Sequence, residues 1–99
     1  HHGLDIAGET GEVIKAARGG RVDSVEWLPL YGRTVILDHG DGYKTLYAHA
    51  SAYLIGRGDA IEKGQGIARV GSTGRSTGPH LHFEVRVNNK PVDPTLYLE

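Results

Sequence analysis

Five side chains of this 99-residue sequence are of types that could act together on one small target: His1, Asp5, His49, His80 and His82. Two of them sit in His80-Leu81-His82-Phe83-Glu84-Val85-Arg86-Val87, which alternates polar and apolar residues without a break. That is the period of a half-buried β-strand. Leu81, Phe83, Val85 and Val87 share the face that enters a core, and His80, His82, Glu84 and Arg86 share the other. Imidazoles two residues apart on a strand point the same way, so both can reach one object in front of the sheet. A metal ion, or a water held by one, is the natural object. A solvated polar strand face would explain an isolated His-x-His equally well, so residues elsewhere in the chain must decide.

His1 and Asp5 form a His-x-x-x-Asp pair. On an ideal strand such positions lie about 13 Å apart, too far to share an ion. On a helix they would be neighbours, but Gly3 and the β-branched Ile6 oppose a helix. A bend at Gly3 is the expected device for bringing them together; the competing reading of His1-His2 is the remnant of a purification tag. A catalytic zinc commonly takes three ligands from His and Asp or Glu and keeps a fourth position for water. Five candidates exceed that set by two. The surplus suits hydrolysis, in which the metal polarises a carbonyl and brings the pKa of water to about 7. Neutral imidazoles nearby can take the proton. A single carboxylate ligand leaves net positive charge for a developing oxyanion.

The elements that must position these groups are short and glycine-punctuated. Fifteen glycines and 38% hydrophobic residues fit one turn-rich domain of 99 residues, with no second core. No segment sustains a 3.6-residue apolar period. Strands are expected over Val13 to Ala17, Arg21 to Trp27, Arg33 to His39, Tyr43 to His49, Ala60-Ile61, Ile67 to Val70 and from His80, with a single helical turn at Ser51 to Ile55. Asp41-Gly42 is the strongest hairpin-turn signal. It should place Tyr43, Thr45, Tyr47 and His49 on one face of the returning strand. Asn88-Asn89 marks another tight turn, and Val92 to Leu98 closes the chain with Pro91 and Pro94 at an edge. The expected class is all-β, a partly closed barrel or two packed sheets.

Composition also excludes. Eleven basic and twelve acidic residues leave a net charge of −1, so no global field draws nucleic acid or an anionic membrane. No apolar run reaches the roughly 18 residues of a membrane span, and no signal peptide is visible. With no cysteine there are no disulfides and no thiolate ligands. With no methionine the chain lacks its own initiator. A fragment or processed product is expected, a single catalytic domain over residues 1–99 that opens at the first candidate ligand.

Taken in order, the motifs resemble the lysostaphin-type (LytM-like) zinc endopeptidases that cut bacterial peptidoglycan. They are His1-x-x-Leu4-Asp5, His39-Gly40-Asp41-Gly42, Tyr47-Ala48-His49, Gly58-Asp59, Lys63-Gly64-Gln65, and Gly71-Ser72-Thr73-Gly74 through Thr77-Gly78-Pro79-His80-Leu81-His82-Phe83-Glu84. The resemblance spans essentially the whole chain, and the last motif is highly specific. It implies one Zn²⁺ bound by His1, Asp5 and His82, with His49 and His80 as the catalytic pair. Spacing alone does not choose between His80 and His82 as ligand. It also implies a barrel-like antiparallel sheet of lysostaphin-type (duplicated hybrid motif) architecture with a groove over the metal. The implied substrates are peptidoglycan stem or bridge peptides, and the implied location is the bacterial cell envelope, periplasmic or extracellular.

Other residues have two readings each. His39, beside a turn, is expected to be structural or solvated, and His2 to point away from the ligand face. Glu84 could orient an imidazole or pair with Arg86 or Arg75. Tyr31, Tyr47 and Tyr53 could line a groove or cap the core, and Trp27 is expected to anchor a strand edge. Ser72 to Gly78 looks like a phosphate cradle, but it lacks the Gly-Lys-Ser/Thr ending and leads into a strand. It is read as the loop shaping the groove. Two other functions compete with hydrolysis. A non-catalytic binder of peptidoglycan or of a partner amidase would be expected to have lost ligands, yet all five positions are present. A lipoyl-like carrier lacks an Asp-Lys hairpin tip and leaves the five residues unexplained.

Overall fold

The computed structural model describes residues 3–96. Nine strands follow in chain order: β1 (Gly3–Ala7), β2 (Val13–Lys15), β3 (Gly20–Leu28), β4 (Gly32–Asp38), β5 (Tyr43–Tyr53), β6 (Ala60–Ile61), β7 (Gly66–Val70), β8 (His80–Val87) and β9 (Lys90–Val92). A 3-10 turn, η1 (Pro94–Leu96), follows β9. All pairings are antiparallel. The class is therefore all-β, as expected, but the sheet is open rather than closed into a barrel. Its order is β1-β8-β5-β4-β3-β6, with a β2-β7 ribbon branching from β5 and β9 pairing with β8.

Turn chemistry fixes the registers. Gly40, Asp41 and Gly42 all have positive φ between β4 and β5, and Asn88 and Asn89 do so between β8 and β9. Glycine and Asn/Asp tolerate that region best, and it matches the twist of a tight hairpin. The strand expected at Tyr43 to His49 runs further, to Tyr53, so the helical turn anticipated at Ser51 to Ile55 is a correction. The physical reason is a change of partner. β5 pairs with β8 as far as Ala48, and with β7 from Ala50 to Tyr53, so ladder bonds continue where the local sequence looks like a break.

The partner change comes with an irregularity. Pairing of β5 with β4 slips between Val35↔Tyr47 and Arg33↔Ala50, and His49 sits inside the slip at φ 62°. Strict alternation, which would have put His49 on the face of Tyr43, Thr45 and Tyr47, is thus interrupted at the histidine. Bulges of this kind re-aim a side chain.

Val35, Leu37, Tyr47, Ile67, Phe83 and Val85 form the centre of the core, each at most 2% exposed. The Tyr47 and Phe83 rings pack at 5.3 Å between centroids. Tyr47 is therefore a core residue whose hydroxyl accepts the Ala17 N–H at 2.9 Å. His39 is structural, with Nδ1 2.7 Å from the Gly19 carbonyl and Nε2 2.7 Å from the Thr45 hydroxyl. Trp27 is 59% exposed on β3 rather than packed as an anchor. No helix among the described residues is long and apolar enough to cross a membrane.

Candidate active site

Four of the five candidate side chains are brought together at one end of the β1-β8-β5 segment. The fifth, His1, and its neighbour His2 lie outside the described residues. β1 and β8 pair so that Asp5 is opposite His82 and Ala7 opposite His80. Asp5 Oδ1 is 2.7 Å from His82 Nδ1 and 3.7 Å from His80 Nε2. From β5, the His49 ring lies 4.9 Å from the His80 ring and 6.1 Å from that of His82, between centroids.

His49 and His80 are each engaged through Nδ1, and His82 through both nitrogens. His49 Nδ1 is 2.7 Å from the Thr73 carbonyl, and His80 Nδ1 is 2.9 Å from the Gly78 carbonyl, with the Ser76 hydroxyl 3.2 Å away. A carbonyl only accepts, so in both neutral rings the proton sits on Nδ1 and Nε2 carries the lone pair. His82 differs: its Nε2 is 2.8 Å from Glu84 Oε2 and its Nδ1 2.7 Å from Asp5 Oδ1. Local geometry thus gives His80 and His82 different partners, a main-chain carbonyl for one and two carboxylates for the other.

Electrostatics follow from these contacts. Burial pushes the pKa of His49 below its ordinary value, and the positive potential of His80 and His82 adds to this against the opposing Thr73 carbonyl. His82 is raised, first by its hydrogen bond to Glu84 and, against burial, by Asp5. Burial alone would raise the Glu84 carboxyl, but hydrogen bonds from His82, Tyr31 and Arg86 outweigh it and hold the pKa at about 2.

The loop from Ser72 to Gly78, expected to shape the groove, holds His49 and His80 through the main-chain carbonyls of Thr73 and Gly78. It is clasped to the tip of the β3-β4 hairpin. Arg75 N–H donates to the Leu30 carbonyl at 2.9 Å and Arg33 N–H to the Thr73 hydroxyl at 3.2 Å. Gly32 and Gly74 meet so closely that a Cβ on either would lie within 2.6 Å of the other segment's backbone. The same tip steadies His49, whose backbone N–H donates to the Tyr31 carbonyl at 2.8 Å. Gly3 has a role beyond the bend expected of it, which turns on His1 outside the described residues. It is a strand residue opposite Glu84, and a Cβ there would fall 2.1 Å from His82 Cε1. The absence of a side chain makes room for the ring.

Leu30, Tyr31, His49, His82 and Glu84 line an open groove of about 370 Å³. Of the tyrosines among the described residues, only Tyr31 is among those lining this groove. Tyr53 instead accepts the Thr34 N–H at 3.2 Å.

A metal would find nitrogen and carboxylate donors here, a set that suits zinc. Asp5 Oδ1 and His82 Nδ1 already converge. Among the described residues no group of three potential ligands is placed to hold an ion, and the third implied ligand is His1, outside them. The donor chemistry and the convergence fit the group.

The model of Peptidase family M23 matches residues 1–94. The chain belongs to this family. The M23 domain is 43% identical over 93 residues to the peptidoglycan DD-endopeptidase ShyB of Vibrio cholerae, covering 94% of this chain and 22% of that protein. Among solved structures, a zinc-containing peptidase from Vibrio cholerae superposes with a TM-score of 0.90 at 43% identity, over 94% of this chain and 29% of that one. The catalytic domain of lysostaphin from Staphylococcus simulans gives 0.92 at 35% identity, over 98% and 77%. The M23 chain spans about a fifth of the length of the first curated relatives it matches.

Sequence reasoning missed the Thr73 and Gly78 carbonyls, because every residue carries one and no residue type advertises it. It also left open which partner Glu84 takes. The carboxylate takes both His82 and Arg86.

Proposed function

We propose that this M23 domain is a zinc-dependent endopeptidase hydrolysing peptide cross-links of bacterial peptidoglycan in the cell envelope. Zinc would be held by His1, Asp5 and His82, and His49 and His80 would handle protons. The observation that carries the reading is the convergence of Asp5, His82, His80 and His49 from three strands, with the lone pairs of two imidazoles not committed to ligation. Zinc in such a set supplies Lewis acidity and a water of pKa near 7.

The chain's own contribution is orientation. Thr73 and Gly78 fix His49 and His80 in the tautomer whose Nε2 can accept a proton. A ring that has accepted one then has an Nε2–H to give to the departing amine. The clasped loop holds both rings with little freedom, which lowers the cost of reaching the reactive arrangement. A shallow groove flanked by glycines suits a peptide with small or D-configured residues beside the scissile amide.

The test combines metal analysis with digestion of defined cross-linked muropeptides. His82→Ala should lose both zinc and hydrolysis. His80→Ala and His49→Ala should retain zinc while turnover falls by 10²-fold or more. Normal cleavage by the His80 variant would remove its assigned role. A wild-type protein that binds zinc and muropeptide yet cuts nothing would instead be a binding module.

A further inference from the structure

Glu84, only 4% exposed, is engaged by four side-chain hydrogen bonds. Oε2 accepts from the Tyr31 hydroxyl at 2.7 Å and lies 2.8 Å from His82 Nε2. Oε1 accepts from Arg86 Nε at 3.1 Å and from Nη2 at 2.9 Å. The two oxygens therefore have separate duties, one toward Arg86 and one toward Tyr31 and His82. Tyr31 reaches across from the tip of the β3-β4 hairpin, and its ring stacks 5.6 Å from that of His82. The ring also occupies the space a side chain on Gly3 would need, 2.1 Å from Cε1. The imidazole is thus held in plane by packing and in tautomer by one carboxylate oxygen.

We infer that Glu84 is the positioning residue that decides which nitrogen of the neutral His82 ring carries its proton, and so whether the Nδ1 beside Asp5 is free to ligate, and that Tyr31 and Arg86 serve by fixing Glu84. This rests on the metallopeptidase reading above. Both carboxylates beside the ring only accept, but Glu84 is buried whereas Asp5, 2.7 Å from Nδ1, is largely exposed. In the neutral ring the stronger hydrogen bond to Glu84 therefore keeps the proton on Nε2 and leaves the Nδ1 lone pair toward a metal. The Arg86 fork matters because it makes the arrangement directional. If Glu84 became Gln, Arg86 would demand the amide oxygen, turning the amide NH₂ toward His82. Nε2 would then have to accept, and the neutral ring would carry its proton on Nδ1, the wrong atom for ligation. Removing Arg86 as well would let the amide turn over and present its oxygen to Tyr31 and His82 again.

The experiment uses the wild-type domain, Glu84→Gln, Glu84→Gln/Arg86→Met and Tyr31→Phe. Imidazole ¹⁵N shifts are recorded on metal-free protein at a pH where His82 is neutral, and zinc affinity is measured by chelator competition. Wild type should show His82 protonated on Nε2. Glu84→Gln should show it on Nδ1 and bind zinc 10- to 100-fold more weakly, the usual loss for a partner of this kind. The double variant should recover the Nε2 tautomer and much of the affinity, a recovery that a merely structural role would not produce. Tyr31→Phe should fold normally and lose affinity by a smaller factor, so the inference stays testable if Glu84→Gln is unstable. Unchanged tautomer and affinity in Glu84→Gln, or no recovery in a folded double variant, would overturn it. Wild type with the Nε2 tautomer but no affinity for zinc would sink the metallopeptidase reading instead, while the tautomer of Glu84→Gln still decides what Glu84 does.

Discussion

His49 has the most unusual setting of the groove side chains. It is a non-glycine residue at φ 62° in the middle of a ladder, and it is buried. A left-handed conformation costs a residue of this type about 1 kcal/mol or more. That cost is offset by two hydrogen bonds, its own N–H to the Tyr31 carbonyl and its ring to the Thr73 carbonyl. The consequence for catalysis is a pH prediction. Burial disfavours the imidazolium, so the pKa of His49 lies below its ordinary value of 6.5. A group with a depressed pKa stays a free base to lower pH, and activity that needs the base falls only when pH drops through that depressed value. The acid limb of kcat/KM that belongs to His49 should accordingly have its midpoint below 6.5. An NMR titration of the ring should report the same side of 6.5. A ring midpoint above 6.5 would contradict the burial argument. At this scale the sequence was informative about side chains and silent about main chain. Asp5, His49, His80 and His82 were legible because their types and the specific His80-Leu81-His82 motif limit what they can do. The carbonyls that assign each proton were not, since only the folded path of the Ser72 to Gly78 loop creates them.

Among the elements, β8 was the most legible, because its alternation is unbroken and both its bounds fall where polar and apolar residues predicted them. β5 was the least legible. Its continuation through Ser51-Ala52-Tyr53 depends on β7 replacing β8 along the same edge, a long-range event that no local pattern records. The slip that places His49 is part of the same exchange. β1 shows a residue with a role that its sequence context did not reveal. Gly3 was expected to bend the chain toward His1, which lies outside the described residues; within them it is a strand residue that gives its side-chain space to His82. A methyl group there would sit 2.1 Å from His82 Cε1, far inside van der Waals contact. Because β1 is at the sheet's edge and pairs only with β8, the ring and the strand should both yield without loss of the fold. Gly3→Ala is therefore expected to change the melting temperature by a few degrees while lowering zinc affinity at least 10-fold. Circular dichroism beside a chelator competition would check this, and a variant with wild-type zinc affinity would show that His82 has room to spare.

For the whole molecule, the open order of the sheet has a mechanical meaning. The core is built where β4, β5, β7 and β8 meet, while β1 lies outside it and holds on through one ladder. Yet β1 carries Asp5, and His1 precedes it, so the reading of zinc as bound by His1, Asp5 and His82 makes the metal a clamp between the edge and β8. Because the folded protein alone would bind the ion at this site, zinc should stabilise it by mass action, by about 2.7 kcal/mol at a hundredfold excess over Kd. For a domain of this size each kcal/mol moves Tm by roughly 4–8 °C. Removing zinc with a chelator should then lower Tm by roughly 10–20 °C in the wild type. It should do nothing to His82→Ala, which has no clamp to lose. Hydrogen exchange should locate the change: amides of β1 lose protection first on chelation, while those of β5, paired on both edges, keep theirs at the level set by global unfolding. Equal loosening of β1 and β5 would mean that the metal supports the core as a whole, and an unchanged Tm would mean that the edge strand holds its place without it.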